Sequence, residues 1–82
     1  MIPPNIKRDH IIMAIEEIDK YGVPPRRNSR DYFLEYNGKL YPPKYVISLA
    51  NKYANGYELS PSEFTGGKET NDYLKGLGFN IV

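Results

Sequence analysis

The dipeptide Asn37-Gly38 is the feature that most restricts how this chain can fold, because it lies between two runs rich in aromatic and aliphatic residues. Asn-Gly favours the positive backbone angles of a type I′ turn, which joins two antiparallel strands with matching twist. The sequence therefore predicts a β-hairpin with strands at Tyr32–Tyr36 and Lys39–Tyr41. The proline pair that follows cannot continue the strand ladder, so the hairpin must end there.

Helical periodicity is found on both sides of the predicted hairpin. From Ile6 to Tyr21 the apolar residues recur at helical spacing, and Gly22 with the nearby prolines supplies a stop. A second helix is predicted from Pro42-Pro43, where a missing N–H costs nothing, to its end at Asn55-Gly56. Two helices therefore bracket the hairpin.

The last third of the chain predicts shorter elements. Ser60–Glu63 has the layout of a capping box with proline at the first helical position, which indicates a short helical turn. Lys68–Lys75 predicts a third short helix that Gly76 ends. Phe79 and Ile81 alternate with other residues, as in a strand that pairs with the hairpin. The predicted fold is a small α+β domain whose helices accompany a small antiparallel sheet of about three strands.

The length of 82 residues permits one core and excludes a second. Residues 1–82 are therefore expected to be a single domain. The absence of cysteine excludes disulfides, thiol nucleophiles and thiolate metal sites. No window approaches the roughly 20 apolar residues that span a bilayer, and the N-terminus lacks a signal-peptide pattern. These features predict a soluble, cytoplasmic protein without a membrane partner.

The net charge of +1 hides an uneven distribution. Residues 1–52 carry a net charge of +3, and the remainder carries −2. Three arginines fall within five positions in the segment Arg26–Arg30, which follows two prolines and has no periodicity. Guanidinium groups suit bidentate contacts with phosphates. We therefore interpret Val23–Arg30 as a basic loop with local affinity for nucleic acid.

The basic loop, the hairpin and the start of the second helix together predict a DNA-binding surface, because a β-ribbon fits a DNA groove and basic side chains position the phosphate backbone. Arg26, Arg27, Arg30 and Lys44 are the expected phosphate contacts. The hypothesis for the remaining positions is as follows: Asn37 and Lys39 enter a groove, Tyr41 contacts DNA nearby, and Tyr36 and Tyr45 are candidates for stacking. The alternative interpretation places these tyrosines in a half-buried core.

Catalytic and metal motifs are weak in this sequence. The single histidine, His10, has no second imidazole or thiol to complete a zinc site and no nucleophile motif to act upon. The segment Thr65–Lys68 is similar to part of a phosphate loop, but the first glycine of that motif is absent, so we interpret it as a turn. We expect no cofactor, no metal and no catalytic activity in this domain.

The stretch Tyr36–Ala50, together with the short motifs Phe64–Gly67, Glu69–Asn71 and Leu77–Phe79, resembles a known domain. This domain lies at the N-terminus of modification-dependent restriction endonucleases of the HNH type and of related prokaryotic defence nucleases. The resemblance covers roughly residues 5–82.

The resemblance implies a module that recognises double-stranded DNA, with modified DNA as one candidate ligand. It also implies a nuclease domain in the same chain or in a partner chain, so that this domain is the N-terminal part of a longer protein. Two alternatives remain open: a protein-interaction module of a defence complex, which predicts an exposed apolar or tyrosine-rich patch, and a small enzyme, which predicts a pocket with perturbed carboxylates around His10.

Overall fold

The predicted hairpin forms around a type I′ turn, with positive φ angles of 51° at Asn37 and 78° at Gly38. In this computed structural model, which describes all residues 1–82, strand β1 is Leu34–Tyr36 and strand β2 is Lys39–Tyr41. Leu34 pairs with Tyr41 and Tyr36 pairs with Lys39. The first strand therefore begins two residues later than the predicted Tyr32.

The closing strand, β3, is Asn80–Ile81 and pairs antiparallel with β1. The sheet order is β2-β1-β3, so the central strand β1 pairs with the next strand of the chain on one side and with the C-terminal strand on the other. Phe33, which precedes β1, extends this pairing by exchanging two backbone hydrogen bonds of 2.9 Å with Val82. The predicted three-stranded antiparallel sheet is confirmed.

Three α-helices and one short 3₁₀ helix complete the fold, in agreement with the predicted α+β class. The helices are α1 (Arg8–Tyr21), α2 (Pro43–Asn55) and α3 (Lys68–Gly76), and the 3₁₀ helix is Pro61–Glu63. Gly56 ends α2 in the left-handed conformation, with its N–H donating to Lys52 O. The predicted helix positions are confirmed, with α1 starting two residues later than Ile6.

Helix α2 lies at the centre of the core, because seven consecutive residues, Tyr45–Asn51, are all buried. A helix that is apolar on several faces is expected to be surrounded by other elements. α1 and α3 both pack against it, and α3 also contacts β3. None of the helices combines the length and the apolarity that crossing a bilayer requires.

Candidate nucleic-acid interface

A groove of about 310 Å³ opens at the base of the hairpin, at the end away from the Asn37-Gly38 turn. Three separate segments form its walls: the basic loop, the first turn of α2 and the first turn of α3. The lining residues are Arg27, Asn28, Ser29, Arg30, Asp31, Tyr32, Pro42, Pro43, Lys44, Gly66, Gly67, Thr70 and Asn71. The groove brings together Arg27, Arg30 and Lys44 of the predicted phosphate contacts.

The basic loop begins with a tight turn over Pro24–Arg27, in which the Arg27 N–H donates to Pro24 O at 3.2 Å. Arg26 has a φ of 67°, at the turn position where glycine is normally preferred. Its side chain is exposed on the outside of the loop and does not line the groove. A left-handed non-glycine residue costs free energy, so the loop holds Arg26 in a strained conformation.

Arg27 anchors the basic loop to α2. Its Nη2 donates to Ser48 Oγ at 2.8 Å, and its guanidinium carbon lies 4.9 Å from the centre of the Tyr45 ring. Ser48 is completely buried, so this hydrogen bond satisfies a polar group inside the core. Arg27 therefore has a structural role in addition to its position on the groove wall.

The charges of Arg30 and Lys44 are not neutralised by any ion pair in the protein. Arg30 is exposed, and the Lys44 Nζ lies 5.0 Å from the centre of the Phe64 ring. Asp31 is the one carboxylate on the lining. With Arg27, the groove carries three positive charges and one negative charge, which favours an anionic ligand.

Two helix N-termini border the groove, and neither has a side-chain cap. At α3, Asn71 is the first residue whose N–H finds a backbone acceptor, Gly67 O at 2.8 Å. At α2, the corresponding residue is Val46, which donates to Pro42 O. The preceding amides and the two helix dipoles therefore direct partial positive charge towards the groove.

The carboxylate of Glu69 is also near the start of α3, but it is directed away from the groove. It accepts hydrogen bonds from the Thr65 N–H at 2.7 Å and from the Ile2 N–H at 3.3 Å. The bonds from Thr65 hold the pKa of Glu69 below its ordinary value. Glu69 stabilises the turn at Thr65. It does not accept hydrogen bonds from the first N–H groups of α3.

Asn71 lies on the groove wall with 7% of its surface exposed, and its Oδ1 is the single buried side-chain polar atom without a hydrogen-bond partner. The neighbouring Thr70 is also buried, but its hydroxyl donates to Thr65 O at 2.7 Å. Asn71 belongs to the motif Glu69–Asn71 but was not among the predicted site residues. The available signal was the glycine pair Gly66-Gly67 before a helix, which allows the backbone to approach a ligand closely.

The tip of the hairpin is remote from the groove, since strands of three residues separate the two by about 10 Å. Asn37 and Lys39 are exposed there. The Lys39 Nζ lies 3.8 Å from the Asp19 carboxylate of α1. The structure therefore does not bring Asn37 and Lys39 together with the predicted phosphate contacts at the groove.

The three tyrosines predicted to contact or stack on DNA pack against the core. Tyr41 is 4% exposed and donates its hydroxyl to Asp19 Oδ1 at 2.6 Å. Burial, and then this hydrogen bond, raise the pKa of Tyr41 to about 12. Tyr45 is 7% exposed beneath Arg27, and the half-buried Tyr36 packs against Phe79 at 5.9 Å between ring centres. The rings of Tyr41 and Tyr45 have no face open to a base in this conformation.

A second depression, between α1 and α2, has a different character. The Lys52 Nζ lies 2.7 Å from the Glu17 carboxylate, and the Tyr53 hydroxyl donates to the same carboxylate. The Lys52 bond, followed by the Tyr53 bond, lowers the pKa of Glu17. The apolar side chains of Met13 and Tyr21 are exposed at its rim.

His10 lies at the first turn of α1, and its Nδ1 accepts the Lys7 N–H at 2.9 Å. This contact satisfies a free amide at the helix start. Neither depression includes His10, and no group of three metal-ligating side chains is present. The histidine therefore has a structural role at the start of α1.

Comparison with known proteins supports the resemblance noted from the sequence. No curated protein and no solved structure matches the chain. A protein-family model, described as the N-terminal head domain of ScoMcrA-like proteins, matches residues 4–82. This match is consistent with an N-terminal module of modification-dependent restriction nucleases and supports a role in a restriction or defence protein. The chain belongs to the family of ScoMcrA-like N-terminal head domains.

Proposed function

We propose that this domain binds double-stranded DNA through its phosphate backbone, as the recognition module of a restriction or defence nuclease. The observation that carries the proposal is the convergence of Arg27, Arg30 and Lys44 at the groove between two uncapped helix N-termini. Basic side chains and helix N-termini are the groups that position proteins on a phosphate backbone.

In this proposal Arg30 and Lys44 contact phosphate directly, and Arg26 reaches a neighbouring phosphate from the outside of the loop. Arg27 shares its guanidinium between the fold and the ligand, since part of it is bound to Ser48. Asn37 and Lys39 at the hairpin tip form a second contact region along the duplex. Cleavage belongs to a nuclease domain in the same chain or in a partner chain, and modified DNA is one candidate target.

The test is fluorescence anisotropy with labelled duplexes, unmodified or with methylated or hydroxymethylated bases, at about 50 and 200 mM salt. The variant Arg26→Ala/Arg30→Ala/Lys44→Ala removes three groove and loop charges but keeps the Arg27 anchor. The control Lys7→Ala/Lys20→Ala/Lys75→Ala removes the same charge from exposed positions outside the groove.

We expect salt-sensitive binding that the groove variant loses and the control retains. Each lost phosphate contact should lower the slope of log affinity against log salt by about 1. A preference for one modified duplex would identify a modification reader. Equal loss in both variants would mean that binding depends on total charge, which contradicts the groove as the DNA site.

The second depression favours a different function, docking of another protein. Exposed Met13 and Tyr21 lie beside the paired charges of Glu17 and Lys52, as at the rim of protein interfaces. If no duplex binds at 50 mM salt, this protein-interaction function becomes the leading candidate. Tyr21→Ser/Met13→Ser should then weaken association with the partner nuclease domain in sedimentation experiments.

A further inference from the structure

The turn that opens the basic loop holds Arg26 in an unusual conformation. Pro25 and Arg26 are its two central residues, and the Arg27 N–H closes it by donating to Pro24 O at 3.2 Å. Proline at the first central position and a positive φ at the second are the marks of a type II turn. Glycine or asparagine would adopt the φ of 67° with less strain. Arginine therefore occupies a position where the backbone alone favours another residue.

The strain at Arg26 is not offset by a contact of its charge within the protein. Its exposed guanidinium forms no ion pair and lies over no aromatic ring. The next residue differs, since the Arg27 guanidinium binds Ser48 Oγ at 2.8 Å and lies 4.9 Å from the centre of the Tyr45 ring. Strained residues cluster at sites where their conformation serves a function. The charge of Arg26 is therefore available to a ligand outside the domain.

Both flanks of this turn are restrained. The rings of Pro24 and Pro25 fix the backbone on one side. On the other side, Arg27 joins the loop to α2 through Ser48. A side chain on a preorganised turn requires little further ordering of the backbone when it binds, so Arg26 is suited to insertion into a narrow recess.

The groove of the domain determines where Arg26 would meet a duplex. A phosphate strand is the ridge between the two grooves of DNA, and in the proposed function this ridge lies against Arg30 and Lys44. The basic loop and α3, as opposite walls, then enter the DNA grooves on either side. The major groove, about 12 Å wide, admits a helix, whereas the minor groove, about 6 Å wide, admits inserted arginines. This places the basic loop, with Arg26 on its outer side, at the minor groove.

We propose that Arg26 inserts into the DNA minor groove and makes the domain prefer duplexes whose minor groove is narrow and A·T-rich. Runs of A·T pairs narrow this groove and strengthen its negative potential, which attracts an inserted guanidinium. A guanidinium is also less strongly hydrated than an ammonium group, so it loses less hydration on entry. The inference rests on the proposed DNA-binding function, and it assigns Arg26 to the minor groove instead of the neighbouring phosphate.

The experiment is fluorescence anisotropy with four duplexes that differ only in a central run of A·T, G·C, inosine·C or 2,6-diaminopurine·T pairs. Inosine lacks the 2-amino group of guanine, and diaminopurine adds that group to adenine, so the minor-groove faces are exchanged while the major-groove faces are kept. We expect the A·T and inosine·C duplexes to bind more tightly than the other two, by about fivefold or more. Equal binding of all four would overturn the inference, as would affinities that follow the major-groove face.

The variant Arg26→Asn removes the charge and suits the left-handed backbone, and Arg30→Asn removes one charge from the groove as a matched control. We expect Arg26→Asn to bind the four duplexes with similar affinities. Arg30→Asn should weaken all four by a similar factor and keep the preference. A preference that survives in Arg26→Asn would overturn the assignment. Arg26→Gly, which also suits this backbone, replaces Arg26→Asn if thermal unfolding shows that the asparagine variant does not fold.

The same four duplexes separate this inference from the proposed function. Binding at about 50 mM salt without a preference for either minor-groove face would overturn the inference and leave the proposed function intact, with Arg26 as a phosphate contact. Absence of binding to all four duplexes at that salt would contradict both.

Discussion

On the α1 side of the hairpin, Lys39 and Tyr41 of β2 both direct their polar groups to Asp19, whereas at the base of the hairpin Arg30 and Lys44 line an open groove without any carboxylate partner. The two regions contain the same kinds of side chain. They differ in whether the protein itself satisfies them. Polar groups that are paired internally hold elements together, and those left unpaired around a concavity are available to a ligand.

Arg27 is paired inside the protein and also lines the groove, and its removal should have the largest effect on stability. Arg27→Ala leaves Ser48 Oγ buried without its partner and removes the guanidinium from the Tyr45 ring. We expect the free energy of unfolding to fall by about 2 kcal/mol in urea titrations followed by circular dichroism. Arg30→Ala in the same groove should stay within about 0.5 kcal/mol. Similar losses in both variants would show that Arg27 does not anchor the loop.

The internal pairing between β2 and α1 can be tested at Tyr41. Tyr41→Phe removes the bond to Asp19, and we expect it to lower the free energy of unfolding by about 1 kcal/mol. The phenol ionises in the unfolded chain near pH 10 and in the folded protein near 12, so its contribution is complete below pH 10 and is lost as the pH rises through 12. Ultraviolet titration checks this value. Half-exposed Tyr32→Phe is the control, and an equal change there would contradict the assignment.

The adjacent residues Glu16 and Glu17 give a matched pair on α1. Glu17 binds Lys52 and Tyr53, and Glu16 is exposed. Because the pKa of Glu17 is lowered in the fold, its contribution is present above about pH 4.5 and is lost as the pH falls through the folded value. Glu17→Gln should lower the free energy of unfolding by up to about 1 kcal/mol at pH 7. It should also make the loss of stability between pH 7 and pH 3 less steep. Glu16→Gln should do neither, as measured by thermal unfolding from pH 3 to 7.

The smallest effect is expected at Arg26, where the groove-side loop stores strain. Arg26→Gly relieves the φ of 67° but adds flexibility to the unfolded chain, so the free energy of unfolding should rise by no more than about 0.5 kcal/mol. DNA affinity should fall because one charge is lost. Arg30→Gly, at an ordinary backbone position, should lower both the free energy of unfolding and the DNA affinity. Thermal unfolding and anisotropy measure the two quantities, and a lower midpoint for Arg26→Gly would contradict the strain argument.

Local patterns were sufficient to predict most of the fold. The Asn37-Gly38 turn and the helical periodicities depend on neighbours within a few positions, and the structure confirms them. The closing strand was also predictable, because Phe79 and Ile81 are two positions apart and so fall on the same face of an extended strand. The starts of β1 and α1 shifted by two residues, to Leu34 and Arg8, and α3 extends one residue further than predicted, through Gly76.

The candidate site was less predictable because long-range packing assembles it. Arg27 and Asn71 line the same groove only because α3 packs against α2. No short-range sequence pattern predicts that packing. Tyrosine suits both cores and surfaces, so the sequence left the positions of Tyr41 and Tyr45 open. The pairing of Lys39 with Asp19 depends on how the hairpin lies across α1.

The placement of β3 beside β1 has a consequence for the order of folding. Its partner residues are more than 40 positions apart in the chain, and Arg8 bonds Leu77 O and stacks on Phe79 across a similar or larger separation. Such distant contacts require closure of a long loop, so we expect them to form after the hairpin and α2 have met. Because α3 supplies one wall of the groove, we expect ligand capacity to appear in the final kinetic phase of refolding. A partly folded chain would contain the basic loop but would lack the groove wall that α3 supplies opposite it.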